Sequence, residues 1–134
     1  MKKYLLDTNI CIYSLKNNNQ NIVKNFILHE DDDIYISIFT IAELLLGLEK
    51  GKFSKTQINN TKEFISKFEV VYFGVKEAEI YAKIRANLEK NGCSIGAMDT
   101  LIASVALAND LTIVTNNEKE FQRVPNLKIE NWTK

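Results

Sequence analysis

The sequence predicts an α/β protein in which a central sheet of four to five mostly parallel strands is sandwiched between layers of helices. Three observations point there. Short apolar runs rich in β-branched and aromatic residues alternate with longer segments of helical periodicity, as in a parallel sheet covered on both faces. No linker, repeat or low-complexity stretch interrupts the 134 residues, so 1–134 reads as a single domain, long enough to bury its own core. Third, each of three apolar windows holds one acid: Asp7 is the only charged side chain in residues 4–15, Glu43 in 34–48 and Asp99 in 95–108.

Taken in order, residues 3–6 form the first expected strand, which runs into Asp7, and a short helix follows over 9–16. The polar run 17–21 breaks the chain and caps a second helix over 21–28. Asp31, Asp32 and Asp33 lie between a helix end and a strand start, where three adjacent acids read as a solvated loop. Residues 34–37 are the second strand, 40–49 a leucine-rich helix stopped by Gly51, and 57–68 an amphipathic helix. The β-branched and aromatic run 70–73 is the third strand. Over 75–90, Val75, Ala78, Tyr81, Ile84 and Leu88 share one helical stripe, and Asn91-Gly92 ends it. Residues 98–108 are apolar nearly all round, which makes them a buried central helix. A fourth strand over 111–115, a helical turn over 118–121 and a short last strand over 127–129 complete the chain.

Lysine plus arginine and aspartate plus glutamate both number 17, so bulk charge gives no pull on nucleic acid. Any attraction to phosphate must come from a local basic patch or from metal ions. No apolar run reaches the roughly 18 residues needed to span a bilayer, and no signal peptide precedes Asp7. Cys11 and Cys93 match no metal or redox spacing, so the expected setting is the reducing cytoplasm, with no membrane partner.

A single acid in a helix ordinarily faces solvent. These three have little polar surface to share: Asp99 has only Thr100 and Ser104 for polar company, and Glu43 stands between Ala42 and Leu44. An ionised carboxylate near a core and without a partner costs several kcal/mol, and the basic residues lie mostly elsewhere. A shared divalent cation relieves all three at once. Oxygen ligands without a His or Cys set point to Mg²⁺, with Mn²⁺ as a substitute, and the lone His29 is given no role. Such a site supports phosphodiester hydrolysis by activated water. The segment 115–121 leaves the same sheet edge with a hydroxyl, amides and acids, and spacing alone does not decide which of them reaches inward.

Four segments together resemble the PIN-domain ribonucleases, and within them the VapC toxins of bacterial toxin–antitoxin pairs. They are Leu6-Asp7-Thr8-Asn9, Ser37-Ile38-Phe39-Thr40-Ile41-Ala42-Glu43-Leu44, Ile95-Gly96-Ala97-Met98-Asp99-Thr100-Leu101-Ile102-Ala103 and Thr115-Asn116-Asn117-Glu118-Lys119-Glu120-Phe121. The resemblance implies a PIN-like, Rossmann-like α/β/α sandwich. It makes Asp7 and Asp99 the principal metal-binding acids and Glu43 the third. Asn9 and Thr115 match polar residues that hydrogen-bond within the site. A fourth family acid is often an aspartate where Asn117 stands here, and Glu120 is a nearby acid, so either fills that place. The departure at Asn117 puts a second metal in question.

By the same resemblance, the activity is Mg²⁺-dependent endonucleolytic cleavage of RNA, with initiator tRNA cut in the anticodon loop as the leading substrate. The partners are a small VapB-like antitoxin and a second copy of the chain. Lys50, Lys52, Lys55, Lys83, Arg85 and Lys90 are candidate RNA-binding cations on the rim, and the helices spanning 40–68 are the candidate antitoxin face. Two other readings remain: a catalytically silent PIN-like module that only binds RNA or protein, motivated by Asn117, and a phosphatase with Asp7 as nucleophile. The latter requires an acid two residues on, where Asn9 stands.

Overall fold

The first strand, β1 (Lys3–Leu6), sends Tyr4 and Leu6 to one side of the sheet and Leu5 to the other, and the two halves of the core follow from that alternation. The computed structural model describes residues 2–134. On one side Leu5 packs with Ile84 and Leu88 of α5 (Val75–Lys90), Ile102 and Val105 of α6 (Ala97–Ala108) and Ile113. On the other, Tyr4 and Leu6 pack with Ile10 and Cys11 of α1 (Thr8–Lys16), Ile22 of α2 (Gln20–Leu28), Leu44 of α3 (Ile38–Lys50), and Trp132.

The other described strands are β2 (Asp33–Ser37), β3 (Glu69–Val71), β4 (Thr112–Val114) and β5 (Ile129–Glu130), and the order across the sheet is β3-β2-β1-β4-β5. Every neighbouring pair is parallel, so the sheet is wholly rather than mostly parallel. The chain builds outward from β1 in one direction through β2 and in the other through β4. The β1–β4 boundary is therefore a topological switch point, and ligands of open α/β sheets bind at the carboxyl ends of the strands beside such a point. Leu6 pairs with Ile36 and with Val114, which puts Asp7 and Thr115 side by side just past the strand ends.

Most expected boundaries shift by one or two residues, the fourth strand among them at Thr112–Val114 and not 111–115, and four of the shifts have a clear local reason. Helix α3 begins at Ile38 and not at 40, because Ser37 closes β2 and caps α3 at once: its Oγ accepts the Thr40 N–H at 3.1 Å. Helix α4 (Lys55–Ser66) begins two residues before Gln57, which is the third residue of a capping box with Ser54. The third strand is Glu69–Val71 and not 70–73: Tyr72 is 67% exposed, and Phe73 leaves the sheet to pack edge-on against Phe39 at 5.2 Å. The last strand is Ile129–Glu130 and not 127–129, since Asn126 turns the chain at φ 67° before it joins β4. The turn over 118–121 is helix α7 (Glu118–Phe121), as expected. Asp33 joins β2 while Asp31 is exposed, so the acid run only partly forms the solvated loop expected of it.

Candidate active site

Asp7 ends β1 and opens α1. Its Oδ1 accepts the Thr8 N–H at 2.8 Å and its Oδ2 accepts the Thr115 hydroxyl at 2.8 Å, while its own N–H bonds the Val114 carbonyl at 2.9 Å. The side chain is 3% exposed, and burial raises its pKa against the opposing pull of the Thr115 and Thr8 donors, with the charge of Glu43 pushing the same way as burial. Asp99 sits in the first turn of α6, partly buried. Burial first, then the charge of Asp7, then a hydrogen bond to Glu120 and the charges of Glu120 and Glu43, push it up to about 7. Four carboxyl groups, from the β1–α1 junction and from α3, α6 and α7, thus share one electrostatic field at the sheet edge.

Asn117 sits among the acids. Its Nδ2 lies 3.2 Å from Glu120 Oε2 and 3.5 Å from Asp99 Oδ2, and its backbone N–H donates to the Thr115 hydroxyl at 2.9 Å. The structure therefore brings both candidates for the fourth position into the site: Asn117 as an amide donor, Glu120 as the carboxylate beside Asp99. Glu43 is held through the Thr8 hydroxyl, which donates to its Oε1 at 2.6 Å. Thr8 was not singled out from the sequence, nor were Thr40 and Ser37, whose hydroxyls continue the chain from Thr8. The signal was the spacing of Ser37, Thr40 and Glu43 at successive steps of three, which places them on one helix face, but Ser and Thr at a helix start read first as caps.

Two expectations need correction. Asn9 is exposed on α1 and makes no side-chain hydrogen bond among the described residues, because the helical turn rotates it out of the cleft and leaves the inward place to Thr8. Nor do Asp7, Glu43 and Asp99 form a ready three-carboxylate ligand set: among the described residues no three His, Cys, Asp or Glu side chains are so arranged. Like charges repel, and each acid is engaged by its own donors instead. The donor set still suits a hard cation, since Mg²⁺ keeps several waters and needs only one or two carboxylates. Asp99 is raised by burial first and then by the charges of Asp7, Glu120 and Glu43, and a cation would relieve the second of these.

The sequence also gave no hint of Glu77, which is 6% exposed yet lies outside the site. Burial raises its pKa, but the Asn109 amide and the Gly74 N–H, both at 3.0 Å, outweigh it and hold the group below its ordinary value. It is a satisfied helix cap. Lys50, Lys52, Lys55, Lys83, Arg85 and Lys90, the cations expected on the rim, are all exposed, with Arg85 engaged by Tyr81 and Glu89.

Beside Glu43 runs a groove of about 520 Å³ between α1, α3 and α4, with Ile12, Leu15, Leu44, Leu48 and Phe53 as its apolar lining and Lys16 at its side. Helix α1 thus adds a wall to the face expected from residues 40–68 alone. No helix among the described residues is long and apolar enough to cross a membrane.

A PIN-domain family model matches residues 4–127. The chain belongs to the PIN-domain family. This PIN domain is 41% identical over 132 residues to Ribonuclease VapC2 of Rickettsia felis, an alignment covering 98% of each chain. It is 37% identical over 132 residues to the tRNA(fMet)-specific endonuclease VapC of Salmonella typhimurium, covering 98% of this chain and 99% of that one. Among solved structures, VapBC2 from Rickettsia felis, bound to a DNA fragment from its promoter, superposes with a TM-score of 0.91 at 39% identity, covering 97% and 98% of the two chains. Within the family, the PIN domain is of the VapC type.

One prediction concerns the metal-free PIN domain. A carboxyl whose folded pKa is raised lends its full stabilisation below its unfolded value near 4 and loses it as pH rises through the folded value, here about 7. Between pH 5 and 7 the acids with lowered values stay ionised in both states. The melting temperature of wild type relative to Asp99→Asn, followed by circular dichroism in EDTA, therefore falls across that window. Partial exposure of Asp99 limits the change to about 1–3 kcal/mol. Parallel curves for the two proteins would show that Asp99 carries no such strain.

Proposed function

We propose that residues 1–134 act as one PIN domain, a metal-dependent endoribonuclease toxin that hydrolyses RNA phosphodiester bonds, with Mg²⁺ as its ion and Mn²⁺ as a substitute. The observation that carries this is the convergence of Asp7, Glu43, Asp99 and Glu120 on one sheet edge, with Asp99 pushed up to about 7 by burial first and then by its acidic neighbours. Asp7 and Asp99 hold the ion, and Glu43 and Glu120 flank it. Thr115 fixes the Asp7 carboxylate from one side and the Thr8 N–H from the other. Asn117 spans Asp99 and Glu120, keeping two like charges adjacent. A divalent ion in such a site supplies an activated water and neutralises charge on the phosphate.

The substrate is tRNA, in first place initiator tRNA, the specificity that the name of the Salmonella relative states for that protein, and the cut falls in its anticodon loop. Unstacked loop nucleotides give a phosphate access to a narrow cleft that a duplex does not. The apolar groove ending at Glu43 supports capture of a VapB-like antitoxin segment, in the helix-in-groove mode, over the mouth of the site. We further propose a homodimer working in the cytoplasm, where its tRNA and antitoxin are found.

The test is direct. Purified protein is incubated with initiator tRNA, elongator tRNAs and ribosomal RNA, and the ends are mapped. Cleavage of initiator tRNA in the anticodon loop, leaving 3′-hydroxyl and 5′-phosphate ends and stopped by EDTA, is expected. Intact RNA after prolonged incubation with Mg²⁺ or Mn²⁺ would favour the silent binding module instead.

A further inference from the structure

Three hydroxyls lead from the end of β2 to Glu43. The Ser37 hydroxyl lies 3.3 Å from Thr40 Oγ1, Thr40 Oγ1 lies 3.2 Å from Thr8 Oγ1, and Thr8 Oγ1 lies 2.6 Å from Glu43 Oε1. Ser37 and Thr40 are fully buried and Thr8 is 8% exposed. Each hydroxyl has one proton, and that of Thr8 goes to Glu43 Oε1 across the shortest contact, so the direction of the chain follows from its end. Thr8 donates to Glu43, Thr40 donates to Thr8, and Ser37 donates to Thr40 while its own Oγ accepts the Thr40 N–H at 3.1 Å. Every proton runs toward the carboxylate, and donors aligned this way polarise one another.

The same residue also holds the first acid, since the Thr8 N–H donates to Asp7 Oδ1 at 2.8 Å. We infer that Thr8 is a positioning residue that sets the spacing of Asp7 and Glu43, with its backbone on one and its hydroxyl on the other, backed by Thr40 and Ser37. This rests on the nuclease reading above and assigns the residues that keep its acids in place. Thr8 is too enclosed to bind RNA itself. Its contribution is to hold two repelling carboxylates in a fixed relation before substrate arrives, as outer partners of metal ligands do.

Thr8→Val keeps the shape, the backbone N–H and the bond to Asp7, and removes only the hydroxyl. The expected result is a loss of about 10–100-fold in kcat for RNA cleavage with KM unchanged. Thr8→Ser restores the hydroxyl and returns activity to within a few-fold of wild type. In a double-mutant cycle, Thr8→Val adds nothing to Glu43→Ala, because that truncation already removes the oxygen that accepts the Thr8 hydroxyl. A metal-free crystal structure of Thr8→Val shows Glu43 turned away from α1, a readout independent of activity. Should Thr8→Val fail to fold, Thr40→Val severs the chain one link back and gives a smaller kcat loss of the same kind. Wild-type kcat in the folded Thr8→Val or Thr40→Val protein, or an additive cycle, overturns the inference. If wild type itself cuts no RNA, the nuclease reading falls, and the position of Glu43 in the metal-free variant still decides the role of Thr8.

Discussion

Asp7→Asn and Asp99→Asn each lose RNA cleavage by about 10³-fold or more, on the scale of losing a preorganised electrostatic group, and both stay folded. The fold survives because neither carboxylate is held by a salt bridge. At position 7 an asparagine turns its carbonyl to the Thr8 N–H and its amide to the Thr115 hydroxyl, whose second lone pair is free to accept beside the Asn117 N–H. Each substitution also takes a charge out of a crowded acidic field, so both variants melt at or above the wild-type temperature in metal-free buffer at pH 7.5. On the proposed reading, activity goes because the remaining acids would no longer concentrate enough charge to hold a divalent ion. Single-turnover cleavage assays beside thermal melts check both halves. A variant that cleaves at the wild-type rate, still sensitive to EDTA, removes the metal assignment.

Trp132→Ala destabilises the protein by about 3–5 kcal/mol, the range for truncating a buried aromatic, and lowers its melting temperature by about 10–20 °C. Trp132 is 1% exposed and closes the core on the α1–α2 side. It meets Tyr4 edge-on at 5.2 Å and Phe26 at 5.5 Å, and stacks on His29 at 4.9 Å with only 4° between the rings. Its indole N–H donates to Glu130 Oε1 at 3.1 Å, and its carbonyl accepts from Asn25 at 3.4 Å. The same residue anchors β5, which is only two residues long. The Glu130 carbonyl accepts the Thr115 N–H at 3.0 Å, and Thr115 in turn holds Asp7, so cleavage falls together with stability. Calorimetry or chemical denaturation measures the first effect and tRNA cleavage below the variant's melting range the second. A shift of only a degree or two means the C-terminal strand is held by something other than this aromatic cluster.

The layered fold was legible because its strand segments are largely apolar and its helices carry an apolar face or are apolar nearly all round, although Val75 and Ala78 of the expected α5 stripe are exposed. Asp7, Glu43 and Asp99 stood out for the same reason: an acid is conspicuous where the neighbours are hydrocarbon. Element ends were less legible, because they depend on single hydrogen bonds such as Ser37 to Thr40 or Ser54 to Gln57, which move a helix start by two residues without altering any periodicity. Asn9 and Thr8 were exchanged because the first turn of α1 decides which of two adjacent polar residues faces the cleft, and spacing is silent on a rotation of that size. Glu77 escaped notice because its surroundings in sequence are charged; its burial is tertiary, made by α6 and Asn109.

The sheet order has a consequence for when, during synthesis, the proposed nuclease site can form. Its acids emerge from the ribosome in the order Asp7, Glu43, Asp99 and Glu120, and the strand that pins Thr115 emerges last, at Ile129–Glu130. Because β4 must come to lie directly against β1, a nascent chain carrying the first two acids has no cleft to put them in. Translation thus withholds the proposed site until the polypeptide is nearly whole.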